Sequence, residues 1–409
     1  MNMAIAGSIG RSQAATKESG FFGLVVRGGA KKLFALGMLA LLAACQSVVP
    51  RGGEAPTTVP TATPDPANVV ASDSDRHLVA LLLPVTGPDG DVGRSIANAT
   101  TLALLDTRNT TVRMTTYDTA LGVEAAALKA VADGNKLILG PLRGDNVVKV
   151  ANIARPANVP IISFSNDIGV AGRNVFLMGH LPSQSIDRVV RYARARGMTR
   201  FGGIVTKNVY GQRALSNLTL AVRNAGGRLV GIQEIDGSRA SVDAATRRLG
   251  AAGQVDAVLI AAGGRQALAI IPSVRSHGMA NSRILGTDLW NVSGALAGKK
   301  TAHGAWFASV ADGLYSQYAS KYRTRFGVAP LRLSSLGYDA VLLTARVAQN
   351  WQVGTRFPVK RLTDKGGFIG IDGAFRFMPN GLSERMLEIQ EIRPGKFVTI
   401  DAAPKAFSQ

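Results

Sequence analysis

Residues 136–167, KLILGPLRGDNVVKVANIARPANVPIISFSND, constrain the fold more than any other stretch of the chain. Two short apolar runs, 137–139 and 159–163, flank a segment with helical spacing. A strand that is apolar on both faces must be covered on both, which is the situation of a parallel strand between two layers of helix. The stretch therefore predicts one βαβ unit. In an open parallel sheet, ligands collect in the crevice beyond the carboxyl ends of the strands. That rule puts Gly140 to Gly144 and Ser163 to Asn166 on a common rim.

The same alternation continues on both sides. Strands are expected at 77–83, 112–117 and 175–178, with helices near 93–106 and 123–132. A second series follows, with helices at 184–196, 213–225, 242–249 and 266–276 and strands at 201–205, 229–235, 257–261 and 284–287. Two consecutive series predict an α/β protein of two doubly wound parallel-sheet lobes with a cleft between them. The pattern changes after 306–308. Helices at 315–326 and 334–351 precede segments of period-two alternation at 373–377, 386–392 and 396–400, with a turn at Pro379, Asn380 and Gly381. The expected division is lobe one at 77–180 plus about 311–360, and lobe two at 181–310 plus about 361–409.

The chemistry on the rims suits binding better than catalysis. No phosphate-binding loop, nucleophile-elbow or zinc-protease motif occurs, and His77, His180, His277 and His303 are far apart in sequence. No catalytic residue, metal site or cofactor is expected on that basis. The helix start after Arg143 and Gly144 offers unpaired N–H groups and a positive charge to a carboxylate. Ser163, Ser165 and Asn166 add short polar side chains, while Tyr210 and Asp288 from lobe two could stack on a ligand and meet its cation. Each of these residues also has an ordinary use in a cap, a turn or a core. Their shared location is what marks an amino-acid-like ligand site.

The formal charge of +20 and isoelectric point near 10.6 suit an anionic neighbour such as a phospholipid headgroup layer or a cell-wall polymer. Lys and Arg are dispersed, with little aromatic interleaving, so nucleic acid is not an expected partner. Cys45 is the single cysteine. Lys31 and Lys32 precede an apolar run at 33–42 that closes on Leu42, Ala43, Ala44 and Cys45, and this resembles a bacterial lipoprotein signal. The resemblance implies a signal peptide at 1–44, a lipid on Cys45, and a membrane anchor in place of a spanning helix. Residues 45–76 are rich in Pro and Thr without a periodic apolar face, as expected of a disordered tether.

Further along, Leu81, Leu82, Leu83, Pro84, Val85, Thr86 and Gly87 resemble the leucine-binding type of periplasmic solute-binding protein, the type I bilobal fold. So do Ile138 to Leu142, Val159 to Ser163, Tyr210 with Gly211, and Leu336 to Ala340. The resemblance implies ligand contacts in the turn after Gly140, Pro141 and Leu142 and in the run after Ser163. The first turn here is Arg143, Gly144 and Asp145, without the family's binding serine. The segment Gly370 to Phe377 with Pro379, Asn380 and Gly381 is similar to the ending of penicillin-binding-protein activators, lipoproteins that stimulate peptidoglycan synthases. Gln46 is not the aspartate associated with inner-membrane retention. The two resemblances together imply a periplasm-facing outer-membrane lipoprotein that regulates a penicillin-binding protein. The alternative is a receptor that hands an amino-acid-like compound to an ABC permease.

Overall fold

The computed structural model describes residues 75–291, 294–405 and 407. The expected signal peptide, Cys45 and all but the last two residues of the expected tether lie outside the described residues. The described chain opens with β1 (His77–Leu83), α1 (Gly90–Asp106), β2 (Val112–Asp118), α2 (Val123–Ala132), β3 (Leu137–Leu139), α3 (Gly144–Ala154), β4 (Ile161–Ser163) and β5 (Val175–Leu177). These five strands form a parallel sheet in the order β2-β1-β3-β4-β5. Alternate residues of β1 serve opposite faces, as the period of two requires. Val79, Leu81 and Leu83 enter one core, and Ala80 and Leu82 enter another.

Lobe two follows with α4 (Pro182–Ala195), β6 (Arg200–Thr206), α5 (Val209–Asn224), β7 (Arg228–Ile235), α6 (Arg239–Ala251), β8 (Ala257–Ala261), α7 (Gly264–Ser276), β9 (Arg283–Gly286) and β10 (Trp306–Ser309). The chain then returns to lobe one through α8 (Gly313–Phe326), α9 (Ser335–Ala348), β11 (Phe368–Gly370), β12 (Gly373–Phe377) and β13 (Ser383–Arg385). It ends in lobe two with β14 (Glu388–Arg393) and β15 (Lys396–Asp401). The lobe two sheet runs β15-β14-β10-β9-β8-β6-β7, parallel from β10 through β7 and antiparallel at β14 and β15.

This differs from the expected division, which put everything beyond about 361 in lobe two. Phe368, Phe375 and Phe377 belong to the same core as Leu81, Leu336 and Trp351. Phe375 and Phe377 lie on one face of β12, and Phe377 meets Phe176 of lobe one edge-on at 5.5 Å. The Leu177 N–H donates to Gly381 O at 2.8 Å, tying the small three-stranded sheet to the edge of the first lobe. Only β14 and β15 join lobe two. The chain therefore crosses between lobes three times, after β5, after β10 and after β13.

Candidate functional site

The first rim is largely occupied by its own residues. Arg143 occupies the position before α3 with its side chain exposed, 3.6 Å from Asp89 and 3.5 Å from Asp145. Gly144 lies against Asp167 so closely that a Cβ would overlap its carboxylate. Ser163 is fully buried; its hydroxyl donates to Pro141 O at 2.8 Å and accepts from the Ser165 N–H at 3.0 Å. The Ser165 hydroxyl, also buried, accepts from the Asp167 N–H at 3.1 Å. These two serines hold the turn in shape. Asn166 is exposed. Asp167 reaches across to Arg213 of α5 at 2.6 Å, an ion pair that spans the two lobes.

On lobe two, Tyr210 and Asp288 do come together. The Tyr210 hydroxyl shares a 2.8 Å hydrogen bond with the Thr287 hydroxyl. Burial, and then the Asp288 charge, push the phenol pKa upward. Asp288 accepts from the Ser185 hydroxyl at 2.9 Å. Burial raises its carboxyl above the usual range, opposed by the nearby His180.

Asp288 also lines a cavity of about 230 Å³ where the three crossovers converge, together with His180, Ser185, Asn291, Arg332 and Arg385. Behind its wall is a buried ionic cluster. Asp372, with 0% exposure, is 2.6 Å from Arg332 and 2.9 Å from His180 Nε2, and it accepts from the Ser335 hydroxyl at 2.8 Å. Burial alone would raise the Asp372 pKa, but Arg332 and His180 hold it far below the usual carboxylate range. Asp339 accepts from the Ile371 and Asp372 N–H groups. Burial and the Asp372 charge push its carboxyl up to about 7. Gly370 permits this packing, since a Cβ there would overlap the Asp339 carboxylate.

The two arginines are only partly satisfied. Arg385, 5% exposed, donates through Nη2 to Met178 O at 2.7 Å, and burial lowers its pKa. Its Nε and Nη1 have no hydrogen-bond partner, nor do Nε and Nη2 of Arg332, although Arg332 Nη2 lies 3.7 Å from Asp312 and its guanidinium stacks on Tyr315. Buried N–H groups are expensive to leave unpaired, and a charged donor more so. With Asp372 already engaged and Asp288 and Asp339 biased towards the neutral form, the cavity favours an anion with acceptor oxygens.

Of the residues expected at the site, only Asp288 lines this cavity. Arg332, Asp339, Asp372, Arg385 and Ser185 were not anticipated. A signal for Asp339 was present: it falls on the helical face defined by Leu336, Ala340 and Leu343, where a carboxylate needs a buried partner. Nothing local marks Arg332 or Arg385, because their partners lie on other elements.

A family profile described as periplasmic binding protein matches residues 78–395. An uncharacterised protein of Rickettsia prowazekii is 32% identical over 116 residues, 28% of this chain and 31% of that protein's own length. Among solved structures, a branched-chain amino acid ABC transporter protein of Rhodospirillum rubrum matches with a TM-score of 0.70 at 20% identity, covering 80% of this chain and 100% of that one. A leucine-binding protein of Thermotoga maritima matches at 0.59 and 17% identity, with 80% and 99% covered. A solute-binding protein of R. palustris in complex with benzoate matches at 0.60 and 17% identity, with 81% and 98% covered. With two parallel-sheet lobes, three crossovers and a family match over most of its length, this chain belongs to the periplasmic binding protein family, in the leucine-binding-like type I fold.

Proposed function

We propose that this protein is a lipid-anchored extracytoplasmic receptor that captures a small carboxylate-bearing solute in the cavity beside its hinge. The observation that carries this reading is that two largely buried arginines, Arg332 and Arg385, line one cavity and between them keep four side-chain nitrogens without a hydrogen-bond partner. A cavity of about 230 Å³ accommodates an amino acid or a simple aromatic acid. Similarity to solute-binding proteins of ABC importers supports delivery to a permease as the downstream step.

Calorimetry on protein unfolded, stripped and refolded, titrated with leucine and with benzoate, tests the reading. At least one carboxylate should bind with micromolar affinity, about −8 kcal/mol. Arg385→Gln should weaken it by about 1.5–3 kcal/mol, the range for a lost charged hydrogen bond. Absence of binding by either acid and by a wider panel of carboxylates would rule the receptor out.

One observation favours a second reading, regulation of a peptidoglycan synthase. Ser163, Ser165 and Arg143, the groups expected to hold a ligand on lobe one, are engaged within the chain, and Asp167 with Arg213 already bridges the lobes. A regulator works through its outer surface and does not need an open cleft. Gentle crosslinking of the tagged lipoprotein distinguishes the two, since a penicillin-binding protein and an ABC permease are different captures.

A further inference from the structure

The lobe two sheet has an edge far from the cleft, where β6 to β10 begin, β14 ends and β15 begins. Basic residues recur along it. Arg200 and Arg228 are register partners at the starts of β6 and β7. Arg283 opens β9, and Arg393 faces Lys396 at the end of the β14–β15 hairpin. The Gly395 N–H donates to Ala297 O at 3.0 Å, which seats that hairpin beside the loop carrying Lys299 and Lys300. Helices α4 to α7 also end here, each with an arginine in its last turn.

The last-turn arginines have an ordinary role against the carbonyl ends of their helices. The others do not. Among the described residues, two carboxylates stand at this edge, and both are engaged. Asp256 is held by Arg200, and Glu391 by Arg393 and the Trp306 indole. Arg196, Arg228, Lys299, Lys300 and Lys396 are exposed, with no carboxylate partner among the described ion pairs. Arg228 beside Arg200 and Lys396 opposite Arg393 are like charges at neighbouring register positions, which oppose pairing, while Arg196 also stacks on the Tyr192 ring.

We propose that this edge is a docking surface for an anionic phospholipid bilayer. Seven strands at about 4.8 Å spacing make a basic row about 30 Å long, and guanidinium groups match phosphate oxygens in paired hydrogen bonds. The charges spread across the whole width of the sheet instead of following one channel, which fits a broad headgroup layer better than a single polymer strand. The surface is separate from the hinge cavity and does not depend on what that cavity binds.

The test is co-sedimentation of the full chain with vesicles of phosphatidylcholine alone and of an equal mixture with phosphatidylglycerol. All variants share the same amino terminus, so the anchor contributes equally to each. The wild type should gain binding on the mixed vesicles and lose that gain in high salt. Combined Arg196→Gln, Arg228→Gln and Lys300→Gln should reduce the gain about a hundredfold, at about fivefold per charge. The comparison triple Arg356→Gln, Lys360→Gln and Lys365→Gln, on exposed positions of lobe one, should leave it intact. Equal loss in both triples, no gain on anionic vesicles, or a stronger response to soluble polyglutamate than to the mixed vesicles would each overturn the proposal.

Discussion

Asp372 is the residue on which the hinge cluster depends. It is completely buried and joins Arg332, His180 and Ser335, so Asp372→Asn leaves a buried guanidinium without its counter-charge. Breaking such a pair from one side costs about 3–5 kcal/mol, which a denaturant midpoint should register as a clear loss. Asp339 predicts an opposite kind of dependence. Its folded carboxyl titrates near 7 against an ordinary value of 3.8, so the folded state binds the extra proton more tightly. That stability is fully present below the unfolded pKa and disappears as pH rises through about 7. The thermal midpoint should therefore carry a declining component from about pH 4 to about pH 8, and Asp339→Asn should flatten it. An unchanged slope in the variant would assign the decline to another group.

At the scale of elements, the βαβ alternation was readable because strands buried on both faces and amphipathic helices leave unmistakable patterns. Val79, Leu81 and Leu83 against Ala80 and Leu82 divide between two cores, as an apolar parallel strand must. The small sheet was less readable. β11 and β13 are three residues each: β11, Phe368 to Gly370, is apolar but too short to set a period, and β13 carries Glu384 and Arg385. Their place in lobe one is decided by phenylalanine packing between segments far apart in the chain. The candidate site followed the same division. The rim turns could be located from their strands, but the side chains in them could not. Ser163 has the same sequence signature whether it faces a ligand or bonds Pro141 O, and here it does the latter. Arg385 meets Met178 and the cavity only because β13 returns to the first crossover.

For the whole molecule, the Asp167–Arg213 pair is the visible link between the rims of the cleft. Both side chains are about one-third exposed, so the pair should contribute no more than about 1 kcal/mol. Arg213→Ala should therefore barely shift the unfolding midpoint while opening the lobes, seen as a larger radius of gyration in small-angle scattering. An unchanged radius would mean that the three crossovers alone set the angle. Those crossovers also govern the order in which the protein can be assembled. The first core waits for Leu336, Trp351 and Phe377, and β10 remains an unpaired edge until 388–393 have been made. Closing loops of this length costs entropy before any contact offsets it. Lobe one cannot close before β13 and lobe two not before β14 and β15, so a chain of this topology stays loose until nearly all of it has emerged.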